Sequence, residues 1–295
     1  MPSSRPLTPS QLTRRRFFQV GLAGAAGLAL YSGEIARHSI EITYPEIRVQ
    51  GLPVAFDGFR IVQLSDIHFD QFTEPYFLRE AVHRINQLRP DAIFLTGDFV
   101  TFELLPRPFA VRAGWNCARI LERLACTARY AILGNHDVIV DPLAISMALT
   151  QSGITVLRNS FTALEHGSSR IWLAGLDDAV EGKPDLDRAI PTMLHNRPEE
   201  PVFLLCHEPD YTDTLLNHPA ASSVQLVFSG HTHGGQIRFP LVGPVTLPEL
   251  GKKYVEGLFR LQGLQLYVNR GLGTVGVPFR LNCPPEISLI TLRRA

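Results

Sequence analysis

Two histidines separated by one residue, His231 and His233, lie in a glycine-rich stretch that could bind a metal. In an extended chain, side chains two positions apart point to the same side. The glycines on both sides of the pair carry no Cβ, so the backbone can approach a bound group closely. The pair follows Val224–Ser229, an apolar run that predicts a buried strand. Because open α/β sheets place their sites at the carboxyl ends of strands, this position favours a functional role.

Four other apolar runs end in the same way, each followed by side chains that bind metals or protons. These are Asp66 with His68, Asp98, Asn135 with His136, and His207. Each one alone has an ordinary explanation, such as a turn, a helix cap or a surface histidine. Five such strand ends together indicate a metal, because burying so many aspartates and histidines is costly unless a cation neutralises them. The remaining histidines, which lack this context and are predicted to lie on the surface, are His38, His83, His166, His195 and His218.

The hydrophobic periodicity predicts the elements that must position these residues. Strands are predicted over residues 39–49, 59–64, 92–96, 130–133, 154–157, 161–164, 171–176, 202–205, 224–229, 236–239, 265–269 and 286–292. Helices are predicted over residues 75–88, 110–125, 142–150 and 186–195. Strands alternate with helices early in the chain and dominate later, which favours one α/β domain with sheet layers flanked by helices.

The composition excludes several classes of protein. With 28 basic and 28 acidic side chains in 295 residues, the chain offers no electrostatic reason to expect nucleic acid as a partner. The four cysteines are too few and too scattered for a disulfide framework or a cysteine-rich zinc site. Cys117 and Cys126 could pair in an oxidising compartment, and buried free thiols are the alternative.

The N-terminus has the layout of an export signal. The first 33 residues contain no Asp or Glu, and Arg14, Arg15 and Arg16 precede an apolar run over residues 20–30. Paired arginines with a phenylalanine two positions on resemble a twin-arginine signal. The apolar run is shorter than the roughly 20 residues that span a bilayer. A disordered basic tail is the alternative interpretation.

The motifs taken together resemble those of the calcineurin-like metallophosphoesterases. The matching set is Asp66-x-His68, Gly97-Asp98, Gly134-Asn135-His136-Asp137, His207 and Gly230-His231-x-His233, in that order and without a departure. The Gly-Gly-Gln that follows and the segments at 269–273 and 283–287 resemble the twin-arginine-exported, membrane-associated phosphodiesterase branch. The resemblance implies an αββα sandwich over residues 38–295, preceded over 1–37 by a signal or a membrane tether. It also implies a periplasmic or other extracytoplasmic location, with the export machinery and a membrane surface as partners.

The same resemblance implies two divalent metal ions. One would be held by Asp66, His68, Asp98 and His233, and the other by Asp98, Asn135, His207 and His231. Asp98 would bridge the ions, and a shared carboxylate suits a two-metal site. The mixture of oxygen and imidazole ligands favours manganese, iron or zinc over calcium or magnesium. Hydroxide between the ions would be the nucleophile, with His136 as the acid or a phosphate contact.

These features predict a metal-dependent hydrolase of phosphate esters. A metal-binding protein without catalysis is one alternative, but the presence of both His136 and Asp137 argues against it. A nuclease would need a basic groove, and no basic run occurs outside the N-terminus. Monoesterases need extra cationic contacts for the second phosphate charge. The arginines that could supply them, each expected instead on the surface, are Arg238, Arg270 and Arg280. The branch resemblance favours a diester.

An apolar stretch follows the histidine pair over residues 237–250. Its three prolines exclude a helix and a continuous strand, so a loop close to the metals is predicted. Surface loops are usually polar, whereas this one is mostly apolar. It could pack back on the domain as a cover. Alternatively, Phe239 and Leu241 could help to form a wall for a lipid-like or acyl-sugar phosphate substrate.

Overall fold

The apolar runs of the sequence form strands in the computed structural model, which describes residues 14–69, 72–102, 106–195, 197 and 199–295. The helices are α1 (Arg14–Leu30), α2 (Pro75–Leu88), α3 (Arg107–Leu121), α4 (Asn135–Val140), α5 (Pro142–Gln151), α6 (Leu186–Ala189) and α7 (Thr212–Leu216). The strands are β1 (Glu41–Thr43), β2 (Glu46–Val49), β3 (Arg60–Leu64), β4 (Ala92–Thr96), β5 (Arg129–Ile132), β6 (Thr155–Val156), β7 (Ser160–His166), β8 (Ser169–Gly175), β9 (Val202–Leu205), β10 (Val224–Ser229), β11 (Arg238–Phe239), β12 (Gly243–Pro244), β13 (Gly257–Leu261), β14 (Leu264–Val268) and β15 (Glu286–Arg294).

Two larger sheets carry the strand ends that were predicted to meet. The first has the order β1-β15-β3-β4-β5-β6, with β2 also paired to β15, and its central strands β3, β4 and β5 are parallel. The second has the order β13-β14-β10-β9-β8-β7, with β8, β9, β10 and β14 parallel. Parallel neighbours end on the same side of a sheet. Each sheet therefore presents several carboxyl ends along one edge.

Three apolar layers hold the sheets and helices together. Between the sheets, side chains from both faces interdigitate, and the Phe94 and Phe228 rings meet edge-to-face with centroids 5.1 Å apart. On the outer face of the first sheet, strand residues pack against α2, α3 and α5. On the outer face of the second sheet, they pack against α6 and α7. The result is a four-layer αββα sandwich, which confirms the fold class predicted from the sequence.

Prolines shorten or divide two of the predicted elements, and some observed elements were not predicted. The strand predicted over 39–49 is divided into β1 and β2 at Pro45, which has no N–H to give to a ladder. The helix predicted over 186–195 ends after Ala189, because Pro191 disfavours helical backbone in the residue before it. The half-exposed edge strand β13 was not predicted, since it shows no clear alternation of buried and exposed side chains.

The N-terminal helix α1 is exposed at every position whose side chain is described. Its continuation packs against the domain, where Ser32 O accepts the N–H of Arg280 at 3.0 Å. Among the helices of the described ranges, none is long and apolar enough to cross a membrane. All four cysteines are free thiols, so Cys117 and Cys126 are not paired.

Candidate metal centre

Every residue predicted to form the site lies at one edge of the sandwich. The loops after β3, β4 and β5 from the first sheet meet the loops after β9 and β10 from the second. Six of the seven predicted ligands are buried, and Asn135 is partly exposed. A cavity of about 560 Å³ opens beside them, and the polar residues that line it include Asp98, Asn135, His136, His231 and His233.

Asp66, His68 and His233 form a first group of ligand atoms within 4.8 Å of one another. The Nε2 atoms of His68 and His233 are 3.0 Å apart, and Nε2 of His233 is 3.5 Å from Oδ1 of Asp66. On the far side of its ring, Nδ1 of His68 lies 3.1 Å from the Thr101 hydroxyl. Metal-bound histidines are typically oriented by such an outer hydrogen bond.

Asp98, His207 and His231 form a second group of the same size. Nδ1 of His207 donates to the Thr96 carbonyl at 2.6 Å, which leaves its Nε2 lone pair facing Oδ2 of Asp98 at 3.3 Å. The His231 ring is held through its other nitrogen, because its Nε2 donates to the Glu249 carbonyl at 2.7 Å. A lone pair is therefore left on Nδ1 of His231. In its neutral form each ring therefore has one nitrogen hydrogen-bonded to a carbonyl and a lone pair on the other nitrogen.

Asp98 lies between the two groups. Its Oδ1 accepts the backbone N–H of His136 at 3.0 Å. Its Oδ2 is 3.5 Å from Nε2 of His68 in the first group and 3.3 Å from Nε2 of His207 in the second. One carboxylate oxygen thus faces ligands of both groups, which is the geometry that a bridging ligand requires.

Two buried atoms at the second group have no hydrogen-bond partner among the described residues. They are Oδ1 of Asn135 and Nε2 of His207. Buried polar atoms are nearly always satisfied, so a pair of unpartnered atoms beside a carboxylate indicates a position that can bind a cation. An amide oxygen and an imidazole nitrogen are both ordinary ligands of divalent transition metals. The residues therefore fit a metal centre.

The backbone of the site is held in an uncommon conformation. Asp66, His68, Asp98, His231 and His233 have φ angles between 46° and 71°, in the left-handed region. Each such residue costs about 1–3 kcal/mol, and the strain concentrates at functional sites. Five of the seven predicted ligands have this left-handed conformation. The backbone of these loops therefore orients the ligand side chains at a cost in local conformational energy.

Two glycines make room for the ligands. A Cβ on Gly134 would lie 2.3 Å from Oδ1 of Asp98, and one on Gly230 would lie 2.4 Å from Oδ2 of Asp66. Both distances are far inside van der Waals contact, so any side chain at either position would displace a carboxylate. The glycines of the two motifs are required by close packing.

Burial and pairing set the protonation of the site. Burial raises the pKa of Asp66 to about 6, and it lowers the pKa of His68 to about 3 and that of His231 to about 4. Burial would also raise the pKa of Asp98, but the imidazoles of His207, His136 and His68 together outweigh burial and hold that pKa well below its usual range. In return, and against burial, Asp98 raises the pKa of His207 well above its usual value. Metal binding must therefore displace a proton from His207.

His136 lies beside the predicted ligands with one ring nitrogen already engaged. Its Nδ1 accepts the backbone N–H of Phe102 at 3.0 Å, so in the neutral ring the proton is on Nε2. The ring lines the cavity, and its centroid is 4.8 Å from that of His68. His136 also lies within 4.8 Å of ligand atoms of His68 and Asp98, close enough to be a ligand itself. Asp137 instead accepts backbone N–H groups of Phe99, Val100 and Gly134, and so fastens the loops together.

The three arginines do not supply cations to the cavity. The expectation that Arg280 lies on the surface is wrong, because its side chain is fully buried and donates to carbonyls of Gly273, Cys283 and Arg270 at 2.6–3.1 Å. It also lies 3.4 Å from Nδ1 of His233. Loop carbonyls brought together by the fold satisfy the guanidinium, and a single sequence gives no sign of such partners. Arg238 pairs with Glu256, and Arg270 pairs with Glu286 and Glu41.

The apolar stretch after the histidine pair does border the cavity, although not through all of its side chains. Ile237, Val245 and Pro248 line it, whereas Phe239 and Leu241 are exposed and are not among the lining residues. Two further lining residues, Val275 and Val277, come from a segment that the sequence did not implicate. The remaining histidines do lie away from the site, although His38, His195 and His218 are partly buried.

Comparison with known proteins agrees with this geometry. Residues 59–235 match the family model described as calcineurin-like phosphoesterase. The chain is 35% identical to the uncharacterized metallophosphoesterase YkuE of Bacillus subtilis (strain 168), with 96% of this chain and 98% of YkuE covered. It is 32% identical to phosphodiesterase YaeI of Escherichia coli (strain K12), with 95% and 99% covered. It is 29% identical to UDP-2,3-diacylglucosamine pyrophosphatase LpxG of Chlamydia trachomatis, with 79% and 83% covered. The chain belongs to the calcineurin-like phosphoesterase family and is a metal-dependent phosphoesterase.

Proposed function

We propose that the protein is a phosphodiesterase with a dinuclear metal centre. Asp66, His68, Asp98 and His233 would hold one ion, and Asp98, Asn135, His207 and His231 the other. The observation that carries this proposal is the pair of buried, unpartnered ligand atoms, Oδ1 of Asn135 and Nε2 of His207, beside the central carboxylate. The mixed donor set favours manganese, iron or zinc.

Divalent ions bound there would polarise the phosphoryl oxygens and make hydroxide available as the nucleophile near neutral pH. The chain itself would contribute a hydrogen bond from Nε2 of His136 to a phosphoryl oxygen that does not leave. Because the Phe102 N–H occupies Nδ1, protonating the ring there would break a hydrogen bond. We therefore assign His136 the role of a fixed donor to the phosphate in preference to that of a general acid.

The lining of the cavity favours a diester over a monoester. No arginine or lysine is present among its described lining residues. Arg238, Arg270 and Arg280 are all committed to other partners. A monoester carries a second negative charge that would need such a cation. The name of the similar phosphodiesterase YaeI supports the same choice.

We further propose that the substrate carries a lipid-like or acyl-sugar group and is met outside the cytoplasm. Apolar residues on one side of the cavity support such a group, as does the name of the similar LpxG. Residues 1–37 would act as a twin-arginine signal or as a tether to a membrane surface. The exposed apolar side chains of α1, such as Phe17, Phe18 and Leu22, support contact with a membrane or with export machinery.

Reconstitution with single metals tests the proposed activity. Chelator-treated protein would receive manganese, iron or zinc and would then be assayed on bis(p-nitrophenyl) phosphate, p-nitrophenyl phosphate and pyrophosphate. We expect diester turnover to rise with metal content up to two ions per chain and to exceed turnover of the other substrates. Equal activity of the metal-free protein, or a preference for the monoester, would contradict the proposal.

A further inference from the structure

The side chain of Gln236 is fully used in holding one wall of the cavity. Its Nε2 donates to the carbonyls of Val275 and Val277 at 3.0 and 3.1 Å, and its Oε1 accepts the N–H of Val275 at 2.9 Å. The residue is 8% exposed and lies on the cavity lining. Both amide protons and the amide oxygen are thus hydrogen-bonded to one segment of backbone, Val275 to Val277.

The backbone of Gln236 connects this wall to the metal centre and to a second apolar part of the cavity lining. Its N–H donates to the carbonyl of His233, a predicted ligand, at 3.0 Å. Its φ angle of 48° turns the chain sharply. The next residue, Ile237, accepts the N–H of Val245 at 3.0 Å, which places both of those side chains on the cavity. Gln236 therefore joins the ligand loop to two apolar walls.

These walls form the apolar half of the cavity. Ile237, Val245 and Pro248 line it from one segment, and Val275 and Val277 line it from the other. Hydrocarbon is the only chemistry that these side chains offer a ligand, because their surfaces carry no hydrogen-bonding group. Transfer of a methylene group from water to such a surface is worth about 0.8 kcal/mol, or up to about fourfold in affinity.

We infer, on the basis of the proposed phosphodiesterase function, that this apolar half is a subsite for a hydrocarbon group of the ester and that Gln236 determines its shape. Gln236 is a positioning residue, because its side chain holds the wall and would not contact the phosphate. Loss of its three side-chain hydrogen bonds would release Val275 and Val277 from their place on the cavity lining. Selectivity for long chains should then fall, while the ligand side chains remain in place.

The test compares methyl, butyl and octyl p-nitrophenyl phosphates, all below their micellar concentrations. In the metal-loaded wild-type enzyme, kcat/KM should rise with chain length, by up to about fourfold for each methylene buried. In Gln236→Met, which keeps the length of the side chain and loses its hydrogen bonds, the octyl-to-methyl ratio should fall at least tenfold, mainly through KM. Metal content should remain at two ions per chain.

Two further variants make the comparison specific. Gln265→Met is the matched control, because that amide donates to the Arg48 carbonyl at 2.7 Å on the surface and should leave the ratio unchanged. Val277→Thr keeps the volume of a lining residue but adds a hydroxyl, so it should lower the ratio even if Gln236→Met does not fold. Binding of hydrolysis-resistant alkyl phosphonates, measured by calorimetry, should show the same preference without turnover.

The possible outcomes separate this inference from the proposed function. A wild-type enzyme that hydrolyses all three esters equally would overturn the subsite and leave the phosphodiesterase in place. A preference retained in folded Gln236→Met would overturn the role of Gln236. If no diester is hydrolysed, the proposed function fails, and the phosphonate titrations still decide whether the subsite binds hydrocarbon.

Discussion

Replacing His136 by alanine distinguishes between two roles for this residue, that of a fixed hydrogen-bond donor and that of a general acid. The substitution removes the Nε2–H that faces the cavity and also frees the N–H of Phe102 from Nδ1. Phe102 is 49% exposed, so its N–H can turn to water, and the free energy of unfolding should fall by only about 1 kcal/mol. Removal of one preorganised donor to a developing charge usually costs about 10²–10³ in kcat, equivalent to about 2.7–4 kcal/mol. We therefore expect a folded enzyme, with two metals per chain, that is slowed by this factor.

The assay measures kcat on aryl methyl phosphates whose phenol leaving groups span a range of pKa, with metal-loaded wild type and variant. A donor to the phosphate predicts the same loss for every leaving group, because the bond that it stabilises does not change along the series. His83→Ala is the control, since that ring is exposed on α2 and hydrogen-bonds Gln87 at 2.9 Å. A loss that grows steadily with the pKa of the leaving group would show that His136 is the acid and would refute the assignment.

Four further variants test the metal bridge, a buried arginine, a buried carboxylate and the N-terminal arginines. Asp98→Asn should lower the metal content, measured by elemental analysis after dialysis, below one ion per chain, because both ligand groups face this carboxylate; retention of two ions would contradict its bridging role. Arg280→Met should lower the free energy of unfolding in urea by about 3 kcal/mol or more, since it leaves several buried carbonyls unpaired. Burial raises the pKa of Glu286, but its arginine partner and hydrogen bonds outweigh burial and keep it below the usual 4.5. Its ionised form thus adds stability above that pH, and the stability difference between wild type and Glu286→Gln, both metal-free, should shrink as pH falls through the folded pKa. Arg14→Lys combined with Arg15→Lys keeps the charge but should abolish export in fractionated cells, whereas unchanged localisation would indicate an electrostatic tail.

The metal centre could be predicted from the sequence because its signals are local. Each predicted ligand follows within a few residues of an apolar run, and parallel strands bring such ends together whatever the strand order. The strand over Ala92–Thr96 was predicted with its observed bounds, and Asp98 follows it after a single glycine. The two orphaned atoms, on Asn135 and His207, were found only in three dimensions, since they depend on what surrounds each side chain.

Features that depend on distant partners could not be predicted. Arg280 is buried because carbonyls from separate turns surround it, and the hydrophobic periodicity of the sequence does not predict that arrangement. Val275 reaches the cavity through its hydrogen bonds to Gln236, 39 residues earlier in the chain. Leu241 fits neither interpretation of its stretch, because it is fully exposed and neither packs on the domain as a cover nor lines the cavity as a wall.

In the proposed two-metal centre, the Asp98 carboxylate and the two unpartnered atoms of Asn135 and His207 complete the ligand set. Anomalous diffraction from crystals of the metal-loaded protein, recorded at the absorption edge of the bound metal, tests it most directly. Two peaks per chain are expected, with Asp98 contacting both and with Oδ1 of Asn135 and Nε2 of His207 coordinating the same ion. A single peak in an active enzyme, or two peaks that leave Asn135 and His207 uncoordinated, would contradict it.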